Sequence, residues 1–145
     1  MKKTPAFWDS SAIVPLCTNQ ATSPQAQVCY RRFSVVVWWS AVVEVRSAIS
    51  RLHRNQQISD RDRQGAITRL RLISSGWREV IPDDKLRDLA VDALGKHSLS
   101  AADALQLAAA LTWCWQRPFR RNFITADQRL AEAARSVGFS VVTFP

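Results

Sequence analysis

Apolar and polar positions fall in blocks whose period changes along the chain, and those periods predict the elements. Residues 6–8, Ala-Phe-Trp, form a short apolar run closed by Asp9, which predicts a first strand with Asp9 at its carboxyl end. Ser10 or Ser11 is placed to cap a helix through 12–16, and a polar loop over 18–24 leads to a helix over 25–33. Residues 35–39, Val-Val-Val-Trp-Trp, are β-branched and aromatic and too few for a helix, so they predict a buried second strand. A helix over 41–55 carries an apolar stripe of Ala41, Val45, Ala48, Ile49 and Leu52. Ser59-Asp-Arg-Asp62 has the form of a capped helix start, and that helix stops near Gly76. A third strand is predicted over 77–81, a helix from Pro82-Asp83-Asp84 through Leu94, a fourth strand over 122–125, a helix over 128–136 and a fifth strand over 140–144.

Residues 101–115 stand apart, because their only non-apolar side chains are Asp103, Gln106 and Thr112. At 3.6 residues per turn this is a helix buried on most of its circumference, and Asp103 shares a face with Leu107, Ala110, Leu111 and Cys114. A carboxylate there is costly unless it is hydrogen-bonded, paired or metal-bound. Two readings stand open: a capping box, Ser100-x-x-Asp103, or an acid directed into a site.

Strands alternating with helices predict an α/β fold, a three-layer α/β/α sandwich on a mostly parallel sheet of about five strands in the order 3-2-1-4-5. In such sheets ligands bind outside the carboxyl ends of the strands where the order reverses. Asp9 and Asp127 follow the first and fourth strands, the pair that flanks the reversal. Asp103 and Glu44 lie early in helices that begin at the same end. Each has a structural reading as well: Asp127 as an N-cap, and Glu44 as an edge residue that reaches solvent or pairs with Arg51. Four converging carboxylates repel one another unless a cation lies among them, and oxygen donors of this kind suit Mg²⁺ or Mn²⁺. Neither histidine supports zinc, since His53 falls on a polar helix face and His97 in a loop.

The length, 145 residues, suits a single domain over 1–145 with one sizeable core. The first nine residues hold two lysines with no apolar segment after them, and no uninterrupted apolar run approaches a bilayer span, so a soluble, cytoplasmic protein without a membrane anchor is expected. Cys17, Cys29 and Cys114 have no C-x-x-C spacing and are expected as reduced core residues. The net charge is +8, and most of the 20 basic residues are arginine, the side chain whose planar fork best matches phosphate. Arginines including Arg51, Arg54, Arg120 and Arg121 are therefore candidates to track a nucleic-acid backbone. No Gly-rich phosphate loop or nucleophile elbow occurs.

Trp8-Asp9-Ser10-Ser11-Ala12, Val43-Glu44-Val45, Ala102-Asp103-Ala104-Leu105-Gln106-Leu107-Ala108 and Phe123-Ile124-Thr125-Ala126-Asp127-Gln128-Arg129-Leu130, in that order and spacing, resemble the PIN-domain ribonucleases, in particular the VapC-type toxins of toxin–antitoxin pairs. The resemblance spans essentially the whole chain. It implies a Mg²⁺- or Mn²⁺-dependent endoribonuclease with Asp9, Glu44, Asp103 and Asp127 as metal-binding acids and Ser10 and Thr125 as supporting hydroxyls. It also implies a homodimer and a cognate antitoxin that blocks the cleft, often with a basic side chain laid among the acids. Gln106 stands where many relatives have histidine, and Pro15 interrupts the first helix; neither departure touches an acid. The rival readings are a non-catalytic RNA-binding or scaffold module of the same fold, which the presence of all four acids disfavours, and a flavodoxin-like phosphoacceptor domain, which would need a lysine near the last strand where this chain has only Ser140 to Pro145.

Overall fold

The computed structural model describes residues 2–144. Five strands, β1 (Thr4–Trp8), β2 (Phe33–Trp38), β3 (Arg78–Val80), β4 (Asn122–Thr125) and β5 (Ser140–Thr143), form one sheet in the order β3-β2-β1-β4-β5. Every neighbouring pair is parallel, as the alternation of strands and helices requires. The helices are α1 (Ser10–Cys17), α2 (Ser23–Arg32), α3 (Ala41–Arg54), α4 (Asp60–Ser74), α5 (Asp84–Lys96), α6 (Ala101–Trp113) and α7 (Gln128–Val137).

Strand side chains alternate between faces, and each face feeds its own core. Ala6 and Trp8 of β1, Phe33, Val35 and Val37 of β2, and Ile124 of β4 pack with α1, α2, α3 and α4. Phe7, Val36, Trp38 and Phe123 pack on the other side with α5, α6 and α7. The three-layer arrangement thus follows from strands that are apolar at successive positions. Cys17, Cys29 and Cys114 are free and buried within these layers. Among the described residues no helix is long and apolar enough to cross a membrane.

Several boundaries differ from the sequence expectation for local reasons. α2 begins at Ser23 with Pro24 in its first turn, where a missing N–H is harmless, and the chain passes from α2 into β2 at Phe33 without a loop. The second strand ends at Trp38, and Trp39 turns outward, 55% exposed. α1 runs through Pro15, forfeiting the one backbone bond that residue would have donated. α6 stops at Trp113, and Trp115 lies outside it, 85% exposed, where the apolar pattern placed it in the buried helix. At α4 the expected capping box is complete: the Ser59 hydroxyl takes the Asp62 amide and the Asp62 carboxylate takes the Ser59 amide.

Candidate active site

The chain leaves β1 for β2 and β3 on one side and later enters β4 and β5 on the other, so the carboxyl ends of β1 and β4 flank the reversal of strand order. The four sequence-predicted acids arrive there from four separate elements. Asp9 directly follows β1, Glu44 lies in the first turn of α3, Asp103 in the first turn of α6, and Asp127 caps α7 just beyond β4. All four line one depression of about 760 Å³, together with Ser10, Ser11 and Arg51.

Asp9 is the deepest of them, 4% exposed. Its Oδ2 accepts from the Thr125 hydroxyl at 2.6 Å and from the Ser11 hydroxyl. Ser11 lies 3.2 Å from Thr125 Oγ1 and also accepts the Ala126 amide, so α1 and the end of β4 are laced together around this one carboxylate oxygen. Burial raises the Asp9 pKa to about 6 despite those two hydroxyls, and the neighbouring Asp103 charge pushes the same way.

Asp103 is half-buried. The Ser100 hydroxyl takes its amide at 3.2 Å, so the serine supplies the cap and the carboxylate is left to line the pocket. Its pKa is raised by burial first and then by the charges of Asp127 and Glu44, while Ser100 works against the rise. Asp127 does two jobs: its Oδ1 accepts the Leu130 amide at 2.9 Å as the N-cap of α7, and its own amide donates to Thr125 Oγ1 at 3.0 Å. The structural and functional readings of this residue are compatible, because capping engages one of its two oxygens.

Glu44 is held rather than solvated. Gln106 Nε2 donates to Glu44 Oε1 at 3.1 Å and Oε2 at 3.3 Å, and to Ser10 Oγ at 3.0 Å; the Ser40 hydroxyl donates to Glu44 Oε2. Gln106 is fully buried in α6, and its Oε1 has no hydrogen-bond partner among the described residues. Reversing its amide would aim a carbonyl at the Glu44 carboxylate, so the amide is fixed by charge. Arg51, two turns further along α3, lines the same depression without forming an ion pair with Glu44 within the described residues.

Ser10 thus acts on Gln106 and not on an acid, and Ser11, Ser40 and Gln106 are site residues that the sequence reading did not assign. Gln106 carried a signal, being a polar residue inside an otherwise apolar helix. The predicted caps at Ser10 and Ser11 do not form, since the N-cap of α1 is Asp9 and both hydroxyls are engaged elsewhere. Of the arginines, Arg51 lines the acid pocket and Arg54 a neighbouring depression at the α3–α4 connection. Arg120 and Arg121 precede β4, at the amino end of the sheet, and are not brought to the acids.

As a cation site the donor set is hard oxygen throughout, and the like charges raise one another's proton affinity in the absence of a counter-charge. Among the described residues no three carboxylates, imidazoles or thiols close on a single point. Carboxylate oxygens are the ligands that a hard divalent ion such as Mg²⁺ takes, and such an ion keeps several waters beside them. The residues present therefore fit a hard divalent ion.

Solved structures share this α/β fold over most of the chain. VapC20 of Mycobacterium tuberculosis, described as a Sarcin-Ricin loop cleaving toxin, superposes with a TM-score of 0.66 at 20% identity over 93% of this chain and 96% of its own. VapBC2 from Rickettsia felis, bound to a DNA fragment from its promoter, gives 0.66 at 8% identity, covering 98% and 100%. A toxin–antitoxin complex from Klebsiella pneumoniae gives 0.62 at 16%, covering 87% and 90%. No protein-family model and no curated protein matches the sequence. The chain has the PIN fold.

Proposed function

We propose that this protein is a Mg²⁺- or Mn²⁺-dependent endoribonuclease, the toxin of a toxin–antitoxin pair. The observation that carries the reading is the arrival of Asp9, Glu44, Asp103 and Asp127 from four elements at one pocket, with neutral donors on Asp9, Glu44 and Asp127 and none of the four neutralised by an ion pair among the described residues. The solved structures of like fold lend support, since one is described as a cleaving toxin and others as toxin–antitoxin assemblies.

Asp9, Glu44, Asp103 and Asp127 would hold the ion. When bound, it polarises a water and offsets charge on the scissile phosphate and the leaving oxygen. Water would add to phosphorus as the bond to the leaving oxygen breaks, and whichever of the four carboxylates is not fully engaged with the ion would accept the water's proton. Ser11 and Thr125 fix Asp9, and Gln106 with Ser40 fixes Glu44, so the acids keep their places when charged. Arg51 lines the same pocket and would pair with a substrate phosphate there. Purified protein is expected to cut a folded RNA with an exposed loop in Mg²⁺ and to stop on addition of EDTA. Cleavage that continues unchanged in EDTA would remove the metal from the account.

Gln106→Leu keeps the volume and apolar packing of α6 and removes the donor to Glu44 and Ser10. The expected result is a 10- to 100-fold weaker apparent Mg²⁺ affinity, on the order seen when groups that orient metal ligands are lost. A Mg²⁺ titration of the cleavage rate measures it, and an unshifted midpoint would show that Glu44 is placed by other means.

An antitoxin and a homodimer belong to the same proposal. Depressions lined by Arg54, Ile58, Arg61 and Arg69 lie along α3, α4 and the end of α1, and an antitoxin seated there would extend a basic side chain toward the acids. Hydrogen exchange on the complex would show protection over residues 41–75; protection confined to α5 and α7 would move the partner elsewhere.

A further inference from the structure

The turn after α6 has chemistry that the acid pocket does not use. Between Asp103 and Asp127 the chain contains no acid and holds Arg117, Arg120 and Arg121. Trp115 is 85% exposed and Phe119 77% exposed, the two most exposed large apolar side chains among the described residues. The Arg120 guanidinium lies 5.2 Å from the Phe119 ring centre, and that of Arg121 5.6 Å from the Trp113 ring centre. None of the three arginines is in an ion pair among the described residues.

The aromatic rings are displayed by ordered backbone. Trp115, Gln116 and Arg120 have φ of 56°, 58° and 60°, the left-handed region that bulky side chains rarely enter. The turn is secured by amide bonds from Gln116 to Leu111 O at 2.7 Å, Arg117 to Cys114 O at 3.0 Å and Arg121 to Pro118 O at 2.9 Å. Ser140 of β5 donates to Arg121 O at 2.9 Å. Pro118 sits against Gly138, whose φ is +113° and where an added Cβ would lie 3.2 Å from Pro118 Cγ. A tryptophan held outward in an unfavourable conformation returns nothing to the core, and such outliers point to function.

We propose that residues 113–121 form a second RNA contact, in which Trp115 and Phe119 stack on unpaired bases while Arg117 and Arg120 neutralise the adjoining phosphates. This rests on the RNA reading above. Exposed aromatic faces interleaved with arginine are the means by which single strands are held without base-pair geometry. Glu79 and Asp83 share a depression with Trp115, but segment 113–121 itself carries only basic charge, which complements a polyanion and disfavours a second copy of this basic chain as the occupant. Because α6 runs from Asp103 at one end of the sheet to this turn at the other, the two contacts are separated by roughly 20 Å, the length of 13 residues of helix. A substrate engaging both must have an unpaired segment at that distance from the cut, so the second contact selects among RNAs by reach.

The test uses the full chain in EDTA and a fluorescently labelled single-stranded oligouridylate, with affinity read by anisotropy. Trp115→Asn preserves the turn, since asparagine enters left-handed backbone readily, and Phe119→Ala removes the second ring. Each is expected to weaken binding about tenfold, with Trp115→Tyr restoring most of it. Arg120→Gln is expected to lower the slope of log affinity against log salt by about 0.7. Val91→Ala, at an exposed apolar position on α5, should bind as the parent does. Equal affinity of parent and Trp115→Asn overturns the second contact, and continued cleavage in Mg²⁺ then leaves the nuclease reading standing. A parent that neither binds nor cuts RNA overturns both. Loss of binding accompanied by a dimer-to-monomer shift in sedimentation overturns the proposal in favour of self-association.

Discussion

Asp103→Asn is expected to fold as the parent does and to cleave RNA in Mg²⁺ about a hundred- to a thousandfold more slowly, the scale on which loss of one electrostatic element of an active site is felt. The structural role at this position belongs to the backbone, because the Ser100 hydroxyl takes the residue 103 amide, which asparagine retains. The substitution therefore removes a charge without removing a cap. It also relieves repulsion from Asp127 and Glu44, both of which raise the Asp103 pKa, so the metal-free fold should be no weaker. Cleavage of a labelled RNA by parent and variant at saturating Mg²⁺, with melting curves of both, makes the measurement. A variant with an unchanged melt and the parental rate would leave Asp103 without a part in the chemistry, and the pocket would then need a different use.

The large features of this molecule were legible because they depend on polarity alone. Short β-branched and aromatic runs separated by helical periods leave few alternatives to a parallel sheet, and a reversal between the first and fourth strands brings Asp9 and Asp127 together wherever the loops go. Asp103 and Glu44 could be read as inward acids from helical phase. What holds those acids was not legible, because it depends on side-chain direction within a single turn. Ser10 and Ser11 are adjacent and chemically identical, yet Ser10 serves Gln106 and Ser11 serves Asp9. Ser40 is the N-cap residue of α3, yet its hydroxyl donates to the Glu44 carboxylate and not to the helix backbone. Trp39 and Trp115 read as core because they continue apolar runs, and no glycine marks the left-handed turn at Trp115. The distance of Arg120 and Arg121 from the acids could have been derived, since residues that precede a strand of a parallel sheet lie at its amino end.

Asp9 connects the chemistry of the pocket to the stability of the fold. Its carboxyl titrates at about 6 in the folded chain against a reference of 3.8, chiefly because burial disfavours the charged form. The folded-state value being the higher, protonation favours folding: that contribution is fully present below about pH 4 and is lost as pH rises through about 6. At neutral pH the ionised group then costs the metal-free fold about 3 kcal/mol. Asp103, raised in the same direction, adds to the trend. In EDTA the parent is expected to melt higher at pH 4.5 than at pH 7, an offset of several degrees for a chain of this size. Asp9→Asn is expected to abolish most of that offset and to raise the pH 7 melting temperature by about 5–10 °C, since asparagine's carbonyl can still accept from Ser11 and Thr125 without a buried charge. The same variant should lose cleavage, and Mg²⁺ should stabilise the parent at pH 7 far more than it stabilises the variant, because an ion that binds only the folded chain offsets the repulsion it relieves. A parental melt that is flat between pH 4.5 and 7 in EDTA, or an Asp9→Asn protein that melts lower than the parent at pH 7, would mean that the buried carboxylate is stabilised by its hydroxyl neighbours and that the pocket has no unmet demand for a cation.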